Sequence, residues 1–304
     1  MSDQPLVSVI SVNYKQTGVT IDFLRSLSKI SYSNIEVLLV DNGSGQDLPE
    51  KVAQQFPWVQ LIVSKENLGF AGGNNLAIER AKGKYLLFLN NDTELEPDFL
   101  EPLVHAMEQE PTLGLVSPKI IYYDNRLIQY AGAIGISPYT GRGSKIGHLE
   151  VDQGQYDESK YTDLGHGAAM MIPIRVVKEV GMMPDIFFLY YEEHDWCEMI
   201  KRAGYKVKYV GQSKVYHKES VSVGRESPLK TYYMTRNRLL FMRRNYSGFP
   251  LVMSMLFFIF LAVPKNTIKF AMKSKALLSS FYKGITWNLT HFSNLKYTPR
   301  LNAK

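Results

Sequence analysis

Ile35-Glu-Val-Leu-Leu-Val-Asp-Asn-Gly-Ser44 decides how the chain is read. A mainly apolar run ends abruptly in an acid, an amide, a glycine and a hydroxyl, the pattern of a buried strand that stops at a turn. Upstream, Val7-Ser-Val-Ile-Ser-Val12 is a second such run, and 17–30 places apolar side chains at 21, 24, 27 and 30, a helical spacing. Downstream come a short helix over 48–56, a strand over 58–63 and a helix that starts near Gly73 and is closed by Gly83. The strand Lys84-Tyr-Leu-Leu-Phe-Leu89 and a helix opened by Pro97 and running to about Gln109 follow. Strands alternating with helices predict an α/β fold with a mostly parallel central sheet and flanking helices. Such sheets bind ligands beyond the carboxyl ends of their strands.

From 113 onward the apolar pieces shorten to 114–122, 127–136 and 164–172, and the turn-rich stretch 137–163 reads as a mobile loop region. A helix is expected over 194–203, a strand over 206–210 and helices from 228 to about 292. The division that follows is a main part, 1–226, with a nucleotide-binding layout over 1–112 and a second portion over 113–226; the resemblance described below would make 1–226 the catalytic part and 113–226 its acceptor portion. A basic helical extension, 227–304, completes it.

A formal net charge of +6 conceals a division: residues 1–200 hold 15 Lys+Arg against 27 Asp+Glu, whereas 201–304 hold 20 against only Glu219 and Glu226. A basic third of this kind suits nucleic acid, an anionic lipid surface or a polyphosphate. The stretch 249–264 is uncharged and strongly apolar, with Arg243 and Arg244 before it and Lys265, Lys269, Lys273 and Lys275 after it. That run argues for an anionic membrane surface and against nucleic acid. It falls short of the roughly 20 residues of a spanning helix, so a monotopic helix lying in the interface is expected; the plainer alternative is a buried core helix. The single cysteine, Cys197, excludes an internal disulfide, and Met1-Ser-Asp-Gln-Pro leads straight into a strand; both fit a cytoplasmic protein.

Four stretches carry the chemistry. Asp41 in Val40-Asp-Asn-Gly-Ser44 can accept from a pyrimidine N3–H or a ribose hydroxyl, or simply form an Asx turn. Asn67-Leu-Gly-Phe-Ala-Gly-Gly-Asn-Asn75 opens a helix whose backbone N–H groups suit a diphosphate; it has neither the Walker ending nor dinucleotide spacing. In Asn90-Asn-Asp92 a strand-end carboxylate can hold Mg²⁺ or Mn²⁺ against phosphate oxygens, or cap the next helix. In Tyr191-Glu-Glu-His-Asp-Trp-Cys197 three close carboxylates repel one another, which raises at least one pKa toward that of a general base; acids also suit a helix N-terminus.

Together with Val-Asn-Tyr at 12–14, these stretches resemble family 2 glycosyltransferases over about residues 6–245, and among them the rhamnosyltransferase-like members. The resemblance implies a GT-A type nucleotide-binding domain and an inverting, metal-dependent transfer from a nucleotide sugar, with dTDP-L-rhamnose as the expected donor. The acceptor would be a lipid-linked saccharide in surface polysaccharide synthesis, met at the cytoplasmic face of the cell membrane. Asn13, Asp41, Asn67, Gly69, Asn74, Asn91 and Asp92 would contact the nucleotide sugar. Asp92 and His217 would hold the metal, where the family usually has Asp-x-Asp and this chain has Asn90 at the first acid. Glu193 would be the base, with Glu192 and Asp195 beside it. His166, Gly167, Ala168 and Trp196 would shape the acceptor side, and Arg236 and Asn237 would clamp an acceptor phosphate. Transfer from UDP-galactofuranose or UDP-hexose, a non-catalytic nucleotide-sugar-binding protein, and a homo-oligomer all stay open.

Overall fold

The computed structural model describes residues 4–218, 227–292, 295 and 297–301. Four parallel strands start the sheet: β1 (Val7–Asn13), β2 (Ile35–Asn42), β3 (Val59–Ser64) and β4 (Tyr85–Leu89), separated by α1 (Thr17–Leu27), α2 (Leu48–Gln55) and α3 (Gly69–Ile78). Helix α3 begins before the expected Gly73 because one side chain from β2 and one just ahead of the helix cap it. Asn42 Oδ1 accepts the Leu68 N–H at 3.0 Å, and Asn67 Oδ1 accepts that of Gly69 at 2.9 Å.

The chain continues through β5 (Thr93–Leu95), α4 (Leu100–Gln109), β6 (Leu113–Tyr122), β7 (Ile128–Tyr130), β8 (Ala133–Ile134), β9 (Ser144–Lys145), β10 (Lys160–Tyr161) and β11 (Ala169–Pro173). Helices α5 (Ile174–Val180) and α6 (Glu192–Arg202) and the long β12 (Lys206–His217) complete the catalytic part. The sheet order is β3-β2-β1-β4-β11-β6-β12-β10, with β5 on β12 and β7 on β6. Only β11 interrupts the main run, lying antiparallel between β4 and β6. Register pairs Asn13 with Asp41, which levels the carboxyl ends of β1 and β2. Chain order reverses on either side of β1, and a crevice opens at such a switch point. The sheet interior is mainly apolar, from Val9 and Leu39 to Leu87, Val116 and Ile172, all buried.

Residues 137–163 are not the loose region their composition suggests. The fully buried Lys119 ammonium draws Asp152 and Asp157 to 2.8 and 2.5 Å, and Tyr209 donates its hydroxyl to the Tyr156 carbonyl. Two cross-sequence anchors of this kind tie the segment to β6 and β12.

Beyond the catalytic part lie α7 (Pro228–Asn245), α8 (Gly248–Phe257), a π-helical turn (Phe258–Ala262), α9 (Val263–Lys273) and α10 (Lys275–Thr290). The boundary expected at 226/227 adjoins 219–226, which lies outside the described residues. Packing places α7 with the catalytic part: Arg244 meets the fully buried Asp195 at 2.8 Å, and Leu240 and Phe241 are buried with Phe187. Helix α10 packs back on α7, with the Asn288 amide donating to the Arg236 carbonyl at 2.9 Å.

Between them, Gly248–Lys273 is a continuous 26-residue helical run, long and apolar enough to cross a membrane. It is not the buried core helix of the plainer alternative, because Phe249, Val252, Leu256, Ile259 and Phe260 form an exposed stripe while Ser254, Phe258 and Ala262 face inward.

Candidate active site

A cleft of about 690 Å³ runs along the carboxyl edge of the sheet, and Asn42, Asn67, Gly69, Asp92, Glu193 and His217 all line it. Strand ends supply its floor. The Asn42 amide donates to Asn67 Oδ1 at 3.1 Å and to the Gly69 carbonyl at 2.9 Å, fixing the loop that enters α3. Gly69, with φ of +73°, lies against the Phe188 carbonyl, which accepts the Phe70 N–H at 2.6 Å. A Cβ at 69 would collide with Phe188, so this position requires glycine. The N–H groups of Leu68, Gly69 and Phe70 are therefore all bonded within the protein, and the helix-entry cradle expected for a diphosphate is not open there.

Pairing of β12 with β5 sets His217 opposite Thr93 and so brings its ring to Asp92. Nε2 lies 3.2 Å from Asp92 Oδ1, while Nδ1 lies 2.8 Å from Gln129 Oε1. With Gln129 accepting, Nδ1 carries the ring proton and Nε2 turns a lone pair toward a carboxylate oxygen. Asp92 Oδ1 and Asn90 Oδ1 are both buried without a hydrogen-bond partner. Facing acceptors of this kind fit a cation between them, and the Gln129 contact is the outer support that metal-bound imidazoles receive. Among the described residues no group of three His, Cys, Asp or Glu side chains could hold a metal, and a cation at this pair would leave positions for amide, water or substrate oxygens. One carboxylate, one imidazole and diphosphate oxygens suit Mn²⁺ or Mg²⁺.

Across the cleft, Tyr191 in the left-handed region (φ +76°) turns the chain into α6, presenting Glu192 and Glu193. Gly167 packs beside the second acid: a Cβ there would stand in ordinary contact, 3.6 Å from the Glu193 carboxyl carbon. Burial and the charge of Glu193 push the Glu192 carboxyl well above the usual carboxylate range. Burial also opposes ionisation of Glu193, but His194, with Nδ1 3.3 Å from Oε1, and Lys145 outweigh it and hold that carboxyl below its ordinary value. The two neighbouring acids are thus driven in opposite directions, Glu192 toward its neutral form and Glu193 toward its charged one. Glu193 Oε2 is buried and unpartnered. His166, Gly167 and Ala168 line the cleft beside it, and burial followed by the charge of Lys145 holds His166 well below the ordinary imidazole value.

Several expected site residues stand elsewhere. Asn13 is fully buried, donating to Asp41 Oδ1 and Ser44 Oγ and accepting from the Gln16 N–H and Thr20 Oγ. Both it and the 2% exposed Asp41 sit behind the cleft wall, and the neighbouring Asn42 faces the cleft instead. Asn91 lines the cleft, its amide held by Thr20 Oγ at 2.8 Å. Asn74 lies within α3 and donates back to the Phe70 carbonyl, one turn earlier, so it does not reach a nucleotide.

Asp195 is 0% exposed and satisfied by Arg244 and Asn245, which corrects its catalytic reading. Trp196 is equally buried, with its indole N–H on the Gly181 carbonyl, and is core rather than acceptor wall. Arg236 donates to the Ile186 and Phe187 carbonyls, and Asn237 to those of Phe187, Leu189 and Tyr190. Both are buried straps on the 186–190 loop, not an acceptor-phosphate clamp. Phe188, Tyr190 and Tyr191 all have positive φ, a conformation that needs such outside support. Gln129 and Asn42 were missed, because no local pattern marks an amide whose partner is distant in sequence.

A switch-point crevice with a carboxylate–imidazole pair and a buried glutamate pair along one cleft is the layout of a GT-A type glycosyltransferase. A profile described as Glycosyl transferase family 2 matches residues 8–171, more than half of the chain, and the chain belongs to that family. It is 28% identical over 239 residues to the low-salt glycan biosynthesis hexosyltransferase Agl10 of Haloferax volcanii, covering 77% of this chain and 74% of the relative. With the N-acetylglucosaminyl-diphospho-decaprenol L-rhamnosyltransferase of Mycobacterium tuberculosis it shares 24% over 264 residues, 80% of this chain and 86% of that one. The mannosyltransferase PcManGT from Pyrobaculum calidifontis, solved with GDP-Man and Mn²⁺, has the same fold. The TM-score is 0.59 at 17% identity over 96% of this chain and 77% of that one.

Proposed function

We propose that this glycosyltransferase moves L-rhamnose from dTDP-L-rhamnose to a lipid-linked saccharide, with inversion, in surface polysaccharide synthesis at the cytoplasmic face of the membrane. The observation that carries the inverting chemistry is the buried Glu193, with an unpartnered oxygen, in the same cleft as the Asp92–His217 pair. Glu193 takes the proton of the acceptor hydroxyl. The freed oxygen attacks the anomeric carbon from the face opposite the phosphate; the new C–O bond forms as the bond to the diphosphate breaks. Asp92 and His217 would hold Mn²⁺ or Mg²⁺, which neutralises charge on the departing diphosphate. Rhamnose and the lipid-linked acceptor are supported by the L-rhamnosyltransferase relative, whose own name states a diphospho-decaprenol acceptor.

The helical run Gly248–Lys273 lies on the membrane rather than across it in this reading. Both its flanking helices, α7 and α10, pack on each other, so the chain returns to the side it left. Its uncharged part, 249–264, also spans only about 24 Å as a helix, less than a hydrocarbon core of about 30 Å.

Purified protein screened against nucleotide sugars, with and without metal and a membrane-lipid extract, tests the proposal by released nucleoside diphosphate. Metal-dependent release from dTDP-L-rhamnose, increased by lipid, is expected. Release from UDP-galactofuranose or a UDP-hexose alone replaces the donor. Nucleotide binding with no release from any donor makes the protein a binder.

A further inference from the structure

The lipid end of the cleft carries a charge arrangement that neither the donor nor the base uses. Arg142 and Arg238 line the cleft from two elements far apart in sequence. The Arg142 guanidinium stacks 4.9 Å from the centre of Phe257, and that of Arg238 lies 5.3 Å from the next ring, Phe258. Those two phenylalanines sit at the junction of α8 and the π-helical turn, on the apolar run itself. Neither arginine has a carboxylate within ion-pair distance among the described residues. Arg238 gives Nη2 to the Thr140 carbonyl at 2.7 Å, while its Nε is buried without a partner. Gly141, with φ of +62°, keeps the backbone near Arg238: a Cβ there would stand 3.4 Å from that Nε and press on Met242. Desolvation, opposed by the Tyr191 phenol and reinforced by the charge of Arg142, lowers the Arg238 pKa. Lys230 also lines the cleft, whereas Lys145, 3.2 Å from His166, sits with the base.

Two neighbouring uncompensated cations repel each other, and a buried orphan donor costs free energy, unless an anion joins them. Their place, with the reacting groups on one side and an exposed apolar helix on the other, decides which anion. The donor's diphosphate belongs beside Asp92 and His217. We infer that Arg142 and Arg238 hold the diphosphate of a prenyl-diphosphate-linked acceptor, with the prenyl chain lying along the apolar stripe of α8. This rests on the lipid-linked acceptor proposed above and names the group that links saccharide to lipid. Two guanidinium forks match two phosphoryl groups and leave a monophosphate half unbonded.

The test uses the full chain in detergent and measures affinity for farnesyl diphosphate, farnesyl monophosphate, inorganic pyrophosphate and, separately, dTDP with Mn²⁺. The expected order is farnesyl diphosphate tightest, with Arg142→Ala and Arg238→Ala each weakening it about tenfold or more, Arg142→Lys weakening it less, and dTDP affinity unchanged. Arg142 is exposed, so its variants report even if Arg238→Ala folds poorly. Equal loss of dTDP affinity in the variants assigns the arginines to the donor and overturns the inference. Monophosphate binding as tight as diphosphate, pyrophosphate binding as tight as its farnesyl ester, or farnesyl diphosphate affinity untouched by either variant overturns it as well. Absence of dTDP binding in the parent protein with the farnesyl diphosphate pattern intact instead sinks the transfer reaction and leaves this site standing.

Discussion

On the wall built from β4, β5 and β12, Asn90, Asp92 and His217 leave carboxylate and amide oxygens without partners. On the wall held by α7, Arg236 and Asn237 donate into five carbonyl contacts of one loop. Both walls are rich in asparagine and charge, and a sequence reading gives both to the substrates. The difference lies in what the backbone has already claimed. Polar atoms left over after the fold is satisfied are available to a ligand; those that close the backbone's own hydrogen bonds are not.

Glu193→Gln gives the largest break in the first category. Loss of the base is expected to lower kcat by about 10³- to 10⁴-fold while donor affinity stays within a few fold, read by steady-state kinetics and nucleotide binding. An unchanged kcat would move the base elsewhere. In the second category, Arg244→Met leaves Asp195 charged and buried, and chemical denaturation should register a loss of about 3–5 kcal/mol. A loss of activity at unchanged stability would return Asp195 to the catalytic set.

Gln129→Leu sharpens the comparison, since Gln129 touches no substrate in this account yet orients His217. Mn²⁺ binding followed by EPR should weaken about 10- to 100-fold with the melting temperature little changed. Glu192→Gln has the smallest expected effect. Glu192 holds its proton in the folded protein above the pH at which it ionises in the unfolded chain, so its contribution is full below the unfolded pKa and is lost as pH rises toward the folded one. The variant lacks that titration. It should gain stability relative to the parent as pH increases above the ordinary glutamate range, in melts run across pH.

The fold was largely legible, because strand and helix periods are local and the run from Val7 to Leu89 keeps them clean. Helix α3 started early, since Asn42 caps it through a tertiary contact that no local pattern marks, beside the local cap from Asn67. The cleft was legible where a strand ends in polar residues, as at Asn90 to Asp92. It failed at Asp195 and Trp196 because a helix at the cleft presents only one face to it: Glu193 points in, and the next residues turn to Arg244 and to Gly181. The segment 137–163 misled through composition, since its acids answer a lysine buried in β6.

One peptide group ties the mouth of α3 to the loop that leads into α6. The Phe188 carbonyl accepts from Phe70 and stands against Gly69, where a Cβ would collide with it. A side chain placed at 69 must therefore push the 186–190 loop, so a single added methyl far from Glu193 along the chain is expected to disturb how that acid is presented.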